Sequence, residues 1–267
     1  MEGPIIEVKD LCYKVGKKYL LKDISWKVER GEHWNIFGLN GSGKTTLLSI
    51  LAGYKMPTTG SVKIFGEPYS NENLLAFRKK IGLVSTSCFD HFFSNESVLQ
   101  IVLSGILGST GLDFSISNQD VKNARGMLEK VGLAEKLDQS YDLLSKGERE
   151  NVLIARALVT NPEILILDEP CSGLDVSARD KMLNTIEALA GRQNMTMVYV
   201  THYAEEILDC FEHTMLLKQG KIYQQGATRA LFTEGNISGF LGTDVEVQRD
   251  QYGRLSLHAR KRYVIEL

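Results

Sequence analysis

Gly38-Leu39-Asn40-Gly41-Ser42-Gly43-Lys44-Thr45-Thr46 sets glycine, lysine and threonine at the spacing G-x-x-x-x-G-K-[ST]. Each residue type has a task around a polyphosphate. Gly38, Gly41 and Gly43 let the backbone wrap closely, so that successive N–H groups, those of Asn40, Ser42 and Thr46 included, point inward. A helix starting near Lys44 adds the positive end of its dipole. Lys44 reaches the β- and γ-phosphates, and the Thr45 hydroxyl is suited to ligate Mg²⁺. A glycine-rich turn without a ligand is the alternative, and the flanking sequence argues against it. Trp34 to Phe37 reads as a buried strand entering the loop, and Thr45 to Ala52 as a helix leaving it, stopped by Gly53. By itself the loop specifies a nucleoside triphosphate and no particular reaction.

A second group supplies the missing chemistry. Ile164-Leu165-Ile166-Leu167 is a continuous apolar run of strand length that ends in Asp168-Glu169. Ligands of open α/β sheets gather at the carboxyl ends of such strands. Asp168 is placed to bind Mg²⁺, directly or through water, and Glu169 to act as the general base on an attacking water.

The elements that must position these groups follow from patterning. Ile5 to Val8, Ile24 to Val28 and Ser61 to Phe65 alternate as strands, and Met197 to Val200 is a further buried strand. From about Glu96 to Leu144 the period becomes helical, with Val98, Ile101 and Val102, then Val121, Ala124, Met127, Leu128 and Val131. That stretch is expected to be an inserted helical subdomain, bounded at about 90–148. Strands alternating with helices make the core α/β. Val245 to Arg249 and Arg254 to His258 alternate around Asp250-Gln251-Tyr252-Gly253, which predicts a hairpin in a C-terminal extension, 236–267, beyond a main domain of 1–235. Its apolar face, Val245, Val247, Leu255 and Leu257, needs a surface to cover it.

Composition narrows the classes. With 43% apolar residues the 267-residue chain can build an ordinary core, and 31 basic against 33 acidic side chains leave a net charge of −2. That balance gives no footprint for nucleic acid, and no nucleic-acid partner is expected. No apolar run approaches the roughly 20 residues that span a bilayer, and Met1-Glu2-Gly3-Pro4 lacks the basic and apolar regions of a signal peptide. Cys12, Cys88, Cys171 and Cys210 show no metal-ligand spacing and read as reduced thiols of a cytoplasmic protein, with one buried disulfide as the alternative.

Further residues carry a family resemblance. Pro170 continues the acidic pair, Ser172-Gly173-Leu174-Asp175 follows, Val198-Tyr199-Val200-Thr201-His202 ends a strand in histidine, and Leu144-Ser145-Lys146-Gly147-Glu148 lies upstream. In this order and at these separations the set resembles an ATP-binding-cassette domain over about residues 5 to 230. The resemblance implies an α/β fold, a P-loop NTPase core with a mostly parallel sheet, an N-terminal antiparallel β-subdomain and the helical insertion. It implies Mg-dependent hydrolysis of ATP, with His202 at the γ-phosphate and Asp175 in a loop that communicates between two nucleotide sites. Ser145, Gly147 and Glu148 stand where the family signature contacts the ATP of a partner subunit. One copy of each motif then implies a homodimer or pairing with a similar partner.

The departures from the family pattern are informative. The usual signature is Leu-Ser-Gly-Gly-Gln, and this chain has Lys146 and Glu148 at the third and fifth positions. Ser145-x-x-Glu148 is also a capping box, so the carboxylate has a structural use; near a triphosphate its charge is expected to weaken closure, with Lys146 offsetting it. After Ile81-Gly82-Leu83-Val84-Ser85 the usual glutamine is replaced by Thr86; Thr86 or Ser87 is a candidate to supply a hydroxyl to the metal region, and Ser85-Thr86-Ser87 resembles the branch of molybdate-associated ATPases. Val15 occupies the usual place of the adenine-stacking aromatic, which makes Tyr13 the nearest candidate. Leu99-Gln100-Ile101-Val102-Leu103-Ser104-Gly105 is similar to importer ATPases for metal ions, metal chelates or oxyanions. The leading expectation is therefore the ATPase subunit of such an importer, working at the inner face of the cell membrane with a separate transmembrane permease. A soluble ATP-driven clamp or assembly factor is the alternative. A small-molecule kinase leaves Glu169, Asp175, His202 and the signature unexplained.

Overall fold

The computed structural model describes residues 3–70, 72–89, 93, 95–108, 116–192, 194–251 and 253–260. The first two residues of the N-terminal reading and Tyr252 of the expected hairpin turn lie outside them. In chain order the elements are β1 (Ile6–Val15), β2 (Lys18–Val28), β3 (His33–Phe37), α1 (Lys44–Leu51), β4 (Thr59–Ile64), β5 (Glu67–Pro68), α2 (Leu74–Lys80), β6 (Ile81–Val84), α3 (Thr86–Phe89), α4 (Val98–Leu107), α5 (Asn118–Lys130), α6 (Lys146–Leu158), β7 (Ile164–Asp168), α7 (Val176–Ala190), β8 (Thr196–Thr201), β9 (His213–Lys218), β10 (Lys221–Ala227), α8 (Thr228–Leu231), α9 (Glu234–Leu241), β11 (Val245–Arg249) and β12 (Leu255–Ala259).

A six-stranded sheet in the order β10-β9-β3-β8-β7-β6 forms the core. Five of its strands run parallel, and β10 returns antiparallel to β9 at the edge. Every residue of β7 and β8 is buried, as expected for parallel strands covered on both faces. β3, β7 and β8 end together, so the residues that follow them share one edge of the sheet. A second, antiparallel sheet in the order β2-β1-β4-β5 comes from the N-terminal segments.

The middle stretch is helical. α4 and α5 each begin with a complete capping box, Ser97 with Gln100 and Ser117 with Asp120, which satisfies backbone N–H groups left open at a helix start. Both pack on α6 and on each other.

The tail forms the expected hairpin, with Val247 opposite Leu257 and Arg249 opposite Leu255. Its covering surface is supplied by α9 and by the short turn Ala204–Glu206 after β8. The expected division at 235/236 falls inside α9. All four cysteines are free. Among the described residues no helix is long and apolar enough to cross a membrane.

Candidate active site

The loop between β3 and α1 lines an open cleft of about 670 Å³. Asn40, Gly41, Gly43, Lys44, Thr45 and Thr46 form one wall, and Thr86, Ser87, Asp168, Glu169 and Ser172 stand across from them. Gly41 and Gly43 take φ of +77° and +106°, values that L side chains rarely adopt. At Gly43 a Cβ would also meet Leu21 Cδ2 at 2.8 Å and the Leu20 carbonyl oxygen at 2.9 Å. This close approach brings the start of β2 against the cradle. The turn between β9 and β10 is tied to it, as Gly220 N donates to the Ser42 carbonyl at 2.8 Å.

Lys44 is 5% exposed. Its Nζ donates to the Gly38 carbonyl at 2.6 Å and the Leu39 carbonyl at 3.2 Å, and lies 3.1 Å from Glu169 Oε1. The other Glu169 oxygen, Oε2, is 3.1 Å from His202 Nδ1, off the line of a hydrogen bond. Glu169 thus joins the cradle lysine to the histidine at the end of β8. It does so from a left-handed backbone, φ +50°, held by a bond from its N–H to the Val200 carbonyl at 3.0 Å. Strain of this kind in a non-glycine residue persists where the surroundings over-determine it.

Asp168 lies beneath this pair, 6% exposed. Its Oδ2 accepts from Ser85 Oγ at 2.9 Å and Ser87 Oγ at 3.4 Å. Burial pushes its carboxyl above the ordinary value, Glu169 adds to the rise, and the Ser85 bond opposes it. Its Oδ1 is buried without a partner. A carboxylate oxygen left free among hydroxyls fits a hard, oxygen-seeking cation such as Mg²⁺. Thr86 and Ser87 both line the cleft, and the hydroxyls bonded to Asp168 are those of Ser87 and of Ser85 before it.

One reading changes. Tyr13 does not line the cleft. Register shifts in β1 on either side of it break the alternation that put it on the Val15 face, and its ring packs on the core beside Lys55. Tyr19 lines the cleft instead, 42% exposed, with Lys14 Nζ 4.2 Å from its ring centroid. The available signal was an aromatic among lysines four residues before Asp23. Glu148, expected toward the ATP of a partner subunit, lies outside this cleft together with Ser145 and Gly147. It completes the Ser145 capping box and pairs with Lys136 Nζ at 2.6 Å. Those partners, Lys136 first, hold its carboxyl below the ordinary range.

The remaining expected residues are distributed as follows. Lys146 reaches the cleft, lying against Gly173. Ser145, Gly147 and Asp175 are not among the lining residues. Ser145 caps α6, and Asp175 caps α7 by accepting from Ala178 N at 2.8 Å. Gln219 and Gly220 line the cleft and carried no motif that would have named them.

Comparison with known proteins agrees with this geometry. A family model described as ABC transporter matches residues 21–172. The uncharacterized ABC transporter ATP-binding protein YlmA of Bacillus subtilis is 42% identical over 249 residues, 92% of this chain and 94% of its own length. The zinc uptake system ATP-binding protein ZurA of Listeria innocua is 33% identical, covering 84% of this chain and 86% of its own. Among solved structures, a chain of a transporter described as metal-chelate type, in an inward-facing conformation, superposes with a TM-score of 0.77 at 27% identity, over 98% of both chains. A dimeric cassette, MJ0796, bound to ADP and Pi after hydrolysis, gives 0.71 at 28% identity over 83% of this chain and 98% of its own. The chain belongs to the ABC transporter family, as one of its ATP-binding, ATP-hydrolysing cassettes.

Proposed function

We propose that this cassette powers a membrane importer of a metal ion, metal chelate or oxyanion by ATP-driven closure of a homodimer. The observation that carries the dimer is the division of the motifs. Lys44, Thr45, Asp168 and Glu169 share one cleft, while Ser145, Gly147 and Asp175 lie outside it. A second copy would bring its own Ser145-capped helix to the γ-phosphate, where the N-terminal N–H groups of α6 favour negative charge. The zinc-uptake relative and the metal-chelate neighbour support the cargo class. The permease is a separate chain, and the cassette sits on its cytoplasmic side.

Within each site Lys44 exchanges Glu169 for the outer phosphates of ATP. Released, Glu169 orients water for in-line attack and accepts its proton. His202 holds the γ-phosphate side of the cleft, and Tyr19 offers a face to the base. Mg²⁺, when bound near Thr45 and Asp168 Oδ1, neutralises phosphate charge. Hydrolysis to ADP and phosphate removes the bridging γ-phosphate, and the dimer reopens.

The soluble clamp is favoured by one observation, Thr86 at the place of the family's glutamine. A pull-down separates the two readings, with tagged Glu169→Gln protein, Mg-ATP and detergent-solubilised membranes. A polytopic membrane protein retained with ATP supports the importer; recovery of soluble partners or of the homodimer alone overturns it.

A further inference from the structure

The C-terminal hairpin lies outside the segment matched by the family model and has no part in the chemistry above. Its placement suggests a use. β12 packs on the turn Ala204–Glu206, which starts two residues after His202. Leu255, 1% exposed, lines a second cavity of about 380 Å³ together with Ile207 and Phe211, just beyond that turn. On the other side of the hairpin, Arg254 Nη1 lies 3.5 Å from Asp180 Oδ1 on α7, the helix capped by Asp175.

The turn is only three residues long and has no side-chain cap, so little of its order is local. Its inner face carries Glu206, 2% exposed. Glu206 Oε2 accepts from Thr201 Oγ1 at 2.5 Å and from Tyr199 Oη at 3.0 Å. Thr201 Oγ1 in turn accepts from Tyr203 N at 3.0 Å. Both neighbours of His202 are therefore tied into one buried network, and the Tyr203 ring lies 4.1 Å from the imidazole. Tyr199 Oη is also 3.7 Å from Cys171 Sγ, two residues beyond Glu169.

We propose that the hairpin is a brace for His202: by covering the 204–206 turn it keeps Glu206 on Thr201 and Tyr199, and Glu206 acts as the positioning residue that fixes the imidazole toward Glu169 and the γ-phosphate. The proposal rests on the reading of His202 as a γ-phosphate contact. It differs from simple stabilisation of the tail, because it predicts loss of turnover without loss of nucleotide binding. Of the cradle, Gly38 N donates to the Thr201 carbonyl at 3.4 Å, a main-chain contact that the substitutions below leave in place.

The test uses the full chain in four forms: Leu255→Ala, Tyr199→Phe, the double variant, and His202→Ala as reference. Phosphate release gives kcat and KM, a fluorescent ATP analogue gives affinity, and thermal melting checks folding. Since a misplacement of about 1 Å can cost about 100-fold in rate, partial loosening is expected to lower kcat by roughly 10-fold. KM and analogue affinity should stay within about 2-fold. Because both changes act through Glu206, the double variant should be no slower than the slower single variant by more than about 2-fold. Leu255→Met should restore turnover. Wild-type kcat in both single variants, with His202→Ala inactive, overturns the brace alone. A parallel fall of kcat and affinity overturns it in favour of a structural role, and Tyr199→Phe, which removes one hydroxyl, keeps that outcome readable where Leu255→Ala melts. Full turnover in His202→Ala overturns the reading of the histidine, and the brace with it.

Discussion

Replacing Glu169 by glutamine should do two things that pull apart in measurement. The first is loss of the base. General-base catalysis is worth about 10²- to 10⁴-fold, so turnover should fall by at least about 100-fold. The second follows from the open cleft, where Glu169 Oε1 holds Lys44 Nζ at 3.1 Å and so competes with phosphate for the lysine. At an effective dielectric of about 20 this pair attracts by about 5 kcal/mol before the cost of removing either charge from water. Glu169 is one-quarter exposed, and desolvation and salt reduce the net to about 1–2 kcal/mol. Removing that competitor should tighten nucleotide binding by about 5- to 30-fold. The assay is titration with a fluorescent ATP analogue at protein concentrations where the cassette is monomeric, beside phosphate release by the same preparation. Turnover within 10-fold of the native protein would refute Glu169 as base. Unchanged affinity of the monomer would refute the lysine latch, whatever the turnover.

Tyr19→Ala should raise the KM for ATP by about 10-fold and compress the ATP-to-GTP preference, since base stacking on an aromatic is worth about 1–3 kcal/mol; Tyr19→Phe should keep both, and an unaltered KM in Tyr19→Ala would remove the ring from the base site. Gly43→Ala should abolish nucleotide binding, because φ of +106° and contacts at 2.8 and 2.9 Å leave no room for a Cβ beside Leu20 and Leu21; normal binding of the analogue would contradict the cradle. Glu148→Gln should leave ATP-driven dimerisation unchanged and lower stability by about 1 kcal/mol, since the carboxylate already serves the Ser145 cap and Lys136. The sign with pH follows from its lowered pKa: the stabilisation is present above the unfolded value of 4.5 and is lost as pH falls through the folded one, so the melting difference between native and variant should shrink in acid. Glu206 has the opposite sign, its carboxyl being raised mainly by burial. Its contribution is full below the unfolded value of 4.5 and is lost as pH rises through the folded one, so Glu206→Gln should flatten the melting curve against pH above 4.5.

What the sequence made legible is what local physics encodes. The cradle was readable because glycine, lysine and threonine at fixed spacing have few other uses between a strand and a helix, and the cap of α6 because Ser145 and Glu148 are three residues apart. One reading failed, and one contact went unseen, where the deciding residue is distant in sequence. Tyr13 was placed by the two-residue alternation of an ideal strand, and β1 departs from it at two register shifts flanking that residue. The pairing of Glu148 with Lys136, 12 residues upstream beyond a helix start, carried no local signal.

Ser85 shows the same limit from the other side. It stood in a quoted run and was passed over for Thr86, since a sequence shows a hydroxyl and never its direction. Backbone pairing decides the matter: β6 and β7 run parallel with Val84 opposite Leu167, so the residues leaving those strands, Ser85 and Asp168, emerge together. The 2.9 Å bond between them follows from that register. Register between β6 and β7, separated by the whole helical insertion, is a tertiary fact. The hairpin belongs with it: its alternation was plain in the sequence, yet its surface is made by α9 and by the turn after His202, and only the folded chain brings that turn to it.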